Sequence, residues 1–282
     1  MEARRRIAAL MTPPFVWLLA AFVVPLGLMT LFTFRLGSFP PQRDVFTLAH
    51  YQAYFANSAD QRLLLESTLI ALETALISVL LAYPLAHYLA FSGGPRRLTW
   101  LTLLVVPAWT SYLLRILAWK VILGSNGVLA SVLALAGFHG DVPVLLYSRT
   151  AVLITLVYSW VPFVTLPIYS TLERLDQRLL EAAADLGCAP WEVFLRVTLP
   201  LSMPGVAAAF FFVLIPTLGE WVTPAMVGGA SGIMFGNVIQ DEFVRALDWP
   251  TGSLLSLVML VVALLLTVLF SRIGRLTDLA GV

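Results

Sequence analysis

The chain of 282 residues contains one cysteine, Cys188. An intramolecular disulfide is therefore excluded, and so is a zinc site built on paired cysteines. Charge is scarce too: 12% of residues are charged, and the basic ones are 16 Arg against a single Lys. A net charge of +1 and no long basic run leave nothing to track a phosphate backbone, so nucleic acid is not a partner. The three histidines, His50, His87 and His139, are far apart, and no His-Glu-x-x-His pair occurs. No Walker-type phosphate loop occurs either, so the chain does not bind ATP by that route. It offers no catalytic or metal-ligating set of its own: His87 alone among the histidines falls in an apolar run, and no facing Ser/His or carboxylate pair accompanies it.

What the chain has is hydrocarbon. Hydrophobic residues make up 60% and the mean hydropathy is +0.90. A soluble domain this apolar could not cover its core with polar surface, so the long uncharged runs read as membrane spans. A span needs roughly 20 apolar residues to cross about 30 Å. Six runs qualify, at about 15–34, 67–91, 98–123, 151–172, 204–222 and 253–273. The fold class is all-α integral membrane, in one domain. The first run follows Arg4, Arg5 and Arg6 as in a signal peptide, but it is too long for an h-region and lacks a small-residue cleavage site. It reads as an uncleaved span. The stretch 128–137 is too short to span and reads as an interfacial piece.

Arg and Lys in the loops set the orientation. With the N-terminus in the cytoplasm, the inner segments hold ten arginines: Arg4, Arg5, Arg6, Arg96, Arg97, Arg174, Arg178, Arg196, Arg272 and Arg275. The outer segments hold five: Arg35, Arg43, Arg62, Arg149 and Arg245. Both termini are then expected inside, as is the loop 173–200.

That loop is the most informative segment. Leu179, Ala183 and Leu186 recur at helical spacing, with Arg178, Glu181 and Asp185 on the other side. Gly187 suits the left-handed residue that ends a helix. Pro190 suits the first turn of a second helix, where a missing N–H costs nothing. Val193, Phe194 and Val197 make a second stripe, and Pro200 and Pro204 bound the return to the membrane. Two short helices with a sharp break fit a docking element; they also fit an amphipathic loop lying on lipid. Cys188 reads as a passive small residue within it.

The string from Glu181 to Pro200 resembles the EAA motif of membrane subunits (permeases) of ABC-type importers: Glu-Ala-Ala, three residues, Gly, then an apolar helix ending in Leu-Pro. Glu181, Ala182, Ala183, Gly187, Phe194, Leu199 and Pro200 match it. Further strings are similar to spermidine/putrescine permeases of the PotB type: Ser111 to Arg115 with Ala118 and Trp119, Leu218 to Pro224 with Val227 to Gly229, Gly236 to Ile239, and Asp248 to Gly252. The resemblance implies a type I importer permease fold in a bacterial cytoplasmic (inner) membrane. It implies that the EAA loop inserts a coupling helix into a groove of an ATPase subunit, with Ala182, Ala183 and Gly187 allowing close packing and Glu181 as polar contact or cap. It further implies two ATPase subunits carrying ATP and Mg, a second related permease subunit, and a periplasmic or extracellular substrate-binding protein. Permeases for other small cations, amino-acid derivatives or sulfate share the fold and the loop, so these substrates remain alternatives. A secondary transporter would call for an internal repeat or a second intramembrane ion pair, and neither is evident.

Charges inside a bilayer are costly and are kept for a reason. Glu220, between Gly219 and Trp221 and flanked by Pro216 and Pro224, suggests an interrupted helix end lining a cavity. A carboxylate beside an indole can hold an ammonium; equally, Glu220 can pair with Arg115 or Lys120. Glu73 either lines the pathway or locks two helices. Lys120 can snorkel to the outer interface, whereas Arg115 lies deeper and calls for an acid on another helix or on a partner subunit. Trp109, Tyr112, Tyr158 and Trp160 fall within spans, where they line a pathway or pack between helices. Pro107 and Pro162 are expected to kink their helices. Asp241, Glu242 and Asp248 are expected in an outer loop.

Overall fold

The computed structural model of the chain describes residues 2–135 and 145–280, with side chains described for 10–132, 134–135 and 145–270. His139, Asp141 and the last two residues of the stretch 128–137 lie outside the described residues, as do the side chains of Arg4, Arg5, Arg6, Arg272 and Arg275. Among the described residues the structure is helical. In chain order the helices are α1 (Glu2–Thr33), α2 (Ala49–Ala56), α3 (Ser58–Phe91), α4 (Arg97–Ala108), α5 (Tyr112–Leu123), α6 (Val128–Leu135), α7 (Arg149–Leu172), α8 (Gln177–Asp185), α9 (Pro190–Val193), α10 (Leu199–Leu218), α11 (Phe235–Asp241) and α12 (Trp249–Ala280). Six helical stretches are long and apolar enough to cross a membrane: Leu10–Thr33, Ser58–Phe91, Tyr112–Val132, Arg149–Leu172, Pro190–Leu218 and Trp249–Phe270.

The residues group into two compact units, Met1–Arg62 with Val238–Leu264, and Leu63–Asn237 with Leu265–Val282. In the first, polar contacts knit the end of α1 to α2 and to the start of α12. The Thr33 and Tyr51 hydroxyls lie 2.7 Å apart. Ser38 donates to the Leu247 carbonyl at 2.6 Å and accepts the Trp249 N–H at 2.8 Å. Phe32 packs on Trp249 with centroids 5.7 Å apart. The Thr251 hydroxyl bridges Asp248 and His50.

In the second unit the buried face of α3 carries Ala71, Ala75, Ser78, Ala82 and Ala86, at steps of three and four residues. Lipid is as apolar as leucine, so small residues that let backbones approach are what favour helix contact. The same logic acts between α7 and α10. A Cβ at Gly205 would collide with the Thr171 side chain and the Pro167 carbonyl, so only glycine allows this approach. Buried hydroxyls need partners, and on α7 three find one a turn back: Thr155 donates to Ala151, Ser159 to Thr155 and Thr165 to Val161, whereas Thr74, Ser78 and Thr217 are buried without one among the described residues. Ile70, Ile116, Ala151, Val152, Leu156, Val227 and Met234 close one end of this core.

The second span begins at Ser58, nine residues before its expected start, and residues 128–132, expected as an interfacial piece, fall within the stretch Tyr112–Val132. Two further spans differ from the sequence reading around prolines. The run 98–123 is broken into α4 and α5. Pro107 cannot donate to the carbonyl one turn back. The N–H groups of Trp109 and Thr110 fall back on Val106 and Pro107 at 3.1 and 3.2 Å, and Ser111 turns extended. The fifth span begins at Pro190 rather than Pro204, because Pro200 and Pro204 do not stop the helix. A π-turn, Phe194–Thr198, precedes them, with the Leu199 N–H reaching back to the Phe194 carbonyl. The wider turn takes up the missing N–H, and one helical path runs from Pro190 to Leu218. By contrast α7 continues through Pro162 and Pro167 without interruption.

Candidate functional site

The helical hairpin that ends α8 and begins α9 is built by its caps. Asp176 accepts the Arg178 N–H at 3.0 Å and starts α8. Gly187 ends it at φ +88, donating to the Ala184 carbonyl at 2.9 Å, while the Cys188 N–H reaches Ala183 at 3.2 Å. That pair of bonds is a Schellman motif, and its left-handed residue favours glycine. Glu192 takes the Ala189 N–H at 3.0 Å and fixes the start of the next helix, with Pro190 at its first position.

The apolar stripe of this hairpin faces outward at both of its leucines. Leu179 is exposed and Leu186 is 86% exposed; Glu181 and Ala182 are exposed beside them, and Ala183 is half-buried. Leu180, Ala184 and Cys188 turn the other way, toward a cavity of about 830 Å³ that Tyr83, His87 and Phe194 also line. Helix α8 therefore presents an apolar patch outward and braces itself inward. Phe194 is held edge-on against Tyr83 (5.7 Å) and His87 (5.9 Å), while Tyr83 bonds Ser202 at 2.8 Å. Leu199 is half-buried and Pro200 exposed within the continuous helix. The bracing residues Tyr83, His87 and Phe91 recur every four positions, a helical spacing legible in the sequence.

The second constellation surrounds Glu220. α10 stops at Leu218, and the Glu220 carboxylate then accepts the N–H groups of Val222 (2.9 Å) and Thr223 (3.0 Å), starting the next helical turn. The interruption expected at Glu220 is present, and the carboxylate is what caps it. Asn237 donates to the Trp221 carbonyl at 2.7 Å and accepts the Met234 N–H at 3.0 Å. Tyr112 reaches across from α5: its hydroxyl lies 2.6 Å from that of Thr223 and also faces Glu220. Glu220 is half-buried and the Trp221 ring exposed. Thr223 and Asn237, which hold this cluster together, had no role in the sequence reading.

The remaining candidates divide. Glu73 on α3 pairs with Arg149 at the start of α7 at 2.6 Å, so it does lock two helices, though both side chains are nearly half exposed. Lys120 sits 5.6 Å from the Tyr147 ring centroid. Trp160 packs edge-on against Phe163 and Phe212 and touches the core. Tyr158 packs on Trp119 at 5.3 Å. Trp109, at the break between α4 and α5, is 78% exposed. Arg115 pairs with neither Glu220 nor another acid among the described residues; its guanidinium lies 5.6 Å from the Tyr112 ring centroid. Asp241 ends α11, Glu242 follows in a π-turn, and Asp248 accepts from Thr251 at the start of α12.

Comparison with known proteins fits this architecture. The chain is 38% identical over 235 residues to the spermidine/putrescine transport system permease protein PotB of Salmonella typhimurium strain SL1344, covering 83% of this chain and 81% of that one. It is 40% identical over 203 residues to PotB of Haemophilus influenzae, covering 72% and 71%. Among solved structures, a chain of a bacterial alginate ABC transporter, in complex with an alginate pentasaccharide-bound periplasmic protein, superposes with a TM-score of 0.75 at 16% identity over 98% of this chain and 96% of that one. The family model for the binding-protein-dependent transport system inner membrane component matches residues 3–279, and the chain belongs to that family.

Proposed function

We propose that this chain is one of two membrane subunits of an ATP-driven importer of polyamines, a single permease domain whose termini lie in the cytoplasm. The arginine balance of ten against five supports the orientation. It places the α8–α9 hairpin on the cytoplasmic side, where two ATPase subunits carrying ATP and Mg dock. The observation that carries this reading is the outward apolar patch of Leu179 and Leu186 on a rigidly capped hairpin. A contiguous apolar patch exposed on a polar rim marks a surface for a partner. Because α9 continues into α10 without a break, a displacement of the hairpin is a displacement of the fifth span. Closure of the ATPases would thus turn the membrane subunits between inward- and outward-open states. The chain has no Walker-type loop and supplies no hydrolysis of its own.

The relatives named for spermidine and putrescine support a polyamine as substrate, delivered by a separate periplasmic binding protein. Glu220 and the exposed Trp221 supply a carboxylate and an aromatic face for an ammonium group, with Tyr112 as a further pathway residue. Trp160, wedged between Phe163 and Phe212, contributes packing.

The test is reconstitution with the partner subunits in liposomes. ATPase stimulation is measured with binding protein loaded with spermidine, putrescine, an uncharged amino-acid derivative or sulfate. Stimulation by a polyamine, uptake weakened in Glu220→Gln, and stimulation lost in Leu186→Asp and Gly187→Trp are the expected results. Stimulation by another solute alone keeps the importer and removes the polyamine. Full coupling in Leu186→Asp and Gly187→Trp removes the docking role of the hairpin.

A further inference from the structure

A cavity of about 650 Å³ opens where α4 breaks from α5. Leu103, Pro107, Ala108, Trp119, Leu153 and Tyr158 are among its walls, and Arg115 is the one charged residue that lines it. The Nε of Arg115 is buried and has no hydrogen-bond partner. The ion pairs among the described residues use Arg43, Arg97, Arg149, Arg196 and Arg245, not Arg115. The two acids that the sequence singles out near the spans are engaged elsewhere: Glu73 by Arg149, Glu220 by the Val222 and Thr223 N–H groups. Around the cavity the surface stays apolar and uncovered at Leu103, Val106, Trp109, Leu113 and Leu117.

An apolar face with one unpaired, half-buried cation calls for an apolar occupant carrying one anion. Along the broken path of α4 and α5, Arg115 lies eighteen residues after Arg97 and eight before Leu123, so its nearer end is about 12 Å away at 1.5 Å per residue. Lipid phosphates lie at the interface, beyond a half-thickness of about 15 Å, and acyl tails cannot neutralise a guanidinium at depth. A polyamine would be repelled, an argument that rests on the function proposed above. We infer that this face seats a helix of the paired membrane subunit, and that a carboxylate on that helix completes Arg115. The Arg–carboxylate pair would set which subunit docks and in what register, as a buried polar pair does between helices elsewhere.

The test uses the whole transporter, with tagged chain and co-purified partner subunits. Arg115→Lys should retain the second membrane subunit. Arg115→Glu should weaken its retention roughly a hundredfold, the scale expected when one member of a buried pair is lost. In the Arg115→Glu background, each intramembrane acid of the second subunit is changed in turn to Arg, and one such change should restore retention and uptake. This rescue separates a lost ion pair from a misfolded chain. Retention unchanged in Arg115→Glu, or no rescue by any partner acid, overturns the inference. Native mass spectrometry showing that Arg115→Gln sheds an anionic lipid while keeping the second subunit assigns the face to lipid instead. A wild-type chain that recovers no second membrane subunit would sink the importer pairing itself, an outcome read before any variant is made.

Discussion

The Tyr112 and Thr223 hydroxyls lie 2.6 Å apart, joining the start of α5 to the turn that follows α10. Thr223 is fully buried, so removing its partner leaves an orphaned hydroxyl. Tyr112→Phe is expected to destabilise the protein by about 1–3 kcal/mol, and Thr223→Val in the same chain to recover part of that loss. Thermal unfolding in nanodiscs, run as a double-mutant cycle, checks this; additive effects would show that the hydroxyls do not interact.

Gly205 lets α10 lie against α7. A methyl group there meets the Thr171 side chain and the Pro167 carbonyl, and overpacking of this kind costs about 1–3 kcal/mol. Gly205→Ala is expected to lower the melting temperature, and Thr171→Ala to restore only the side-chain share. Full restoration would mean that the Pro167 backbone has room to move.

The Glu73–Arg149 pair at 2.6 Å is short, but its side chains are 43% and 45% exposed. A pair this open is worth about 0–1 kcal/mol in water. A cycle of Glu73→Gln and Arg149→Gln should therefore give a coupling below ~1 kcal/mol that shrinks with added salt. A coupling of ~2 kcal/mol or more, indifferent to salt, would place the pair in lipid rather than at the membrane edge.

Glu242 sits outside the spans. Burial, then the charges of Asp248, Asp60 and Asp241, raise its carboxyl above the usual range. The fold thus prefers the protonated form. The stability this provides is full below the ordinary carboxylate pKa and is lost as pH rises through the raised one. Hydrogen exchange at the Asp248 N–H, which donates to the Glu242 carbonyl at 2.9 Å, should slow as pH falls from about 7 to 5, beyond the intrinsic pH effect. Glu242→Gln should flatten that dependence. An unchanged profile in the variant would assign it to Asp241 or Asp248.

The spans were legible because each is a long run in which length and apolarity are the only requirements, and both are properties of consecutive residues. The caps of the hairpin were legible for the same reason: Gly187 and Pro190 act on their own backbone within a turn. The break at Trp109 and the continuous path through Pro200 were not, although proline marks both. A proline says that one N–H is missing; whether the helix stops or widens into a π-turn depends on which neighbours take up the freed carbonyls.

Glu220 shows the same division. Its place beside Gly219 pointed to an interrupted helix, and local hydrogen bonds to Val222 and Thr223 interrupt it there. That it would cap a turn and face Tyr112, leaving Arg115 without an acid among the described residues, depended on a contact spanning 111 residues. Sequence by itself determined that this is a helical membrane chain with a capped hairpin between its fourth and fifth spans, because those features are set by hydropathy and by torsions within a turn. Tertiary structure alone decided which leucines of that hairpin face outward and which charge is left unpaired. Direction and pairing arise from how distant helices pack, and no local pattern encodes that.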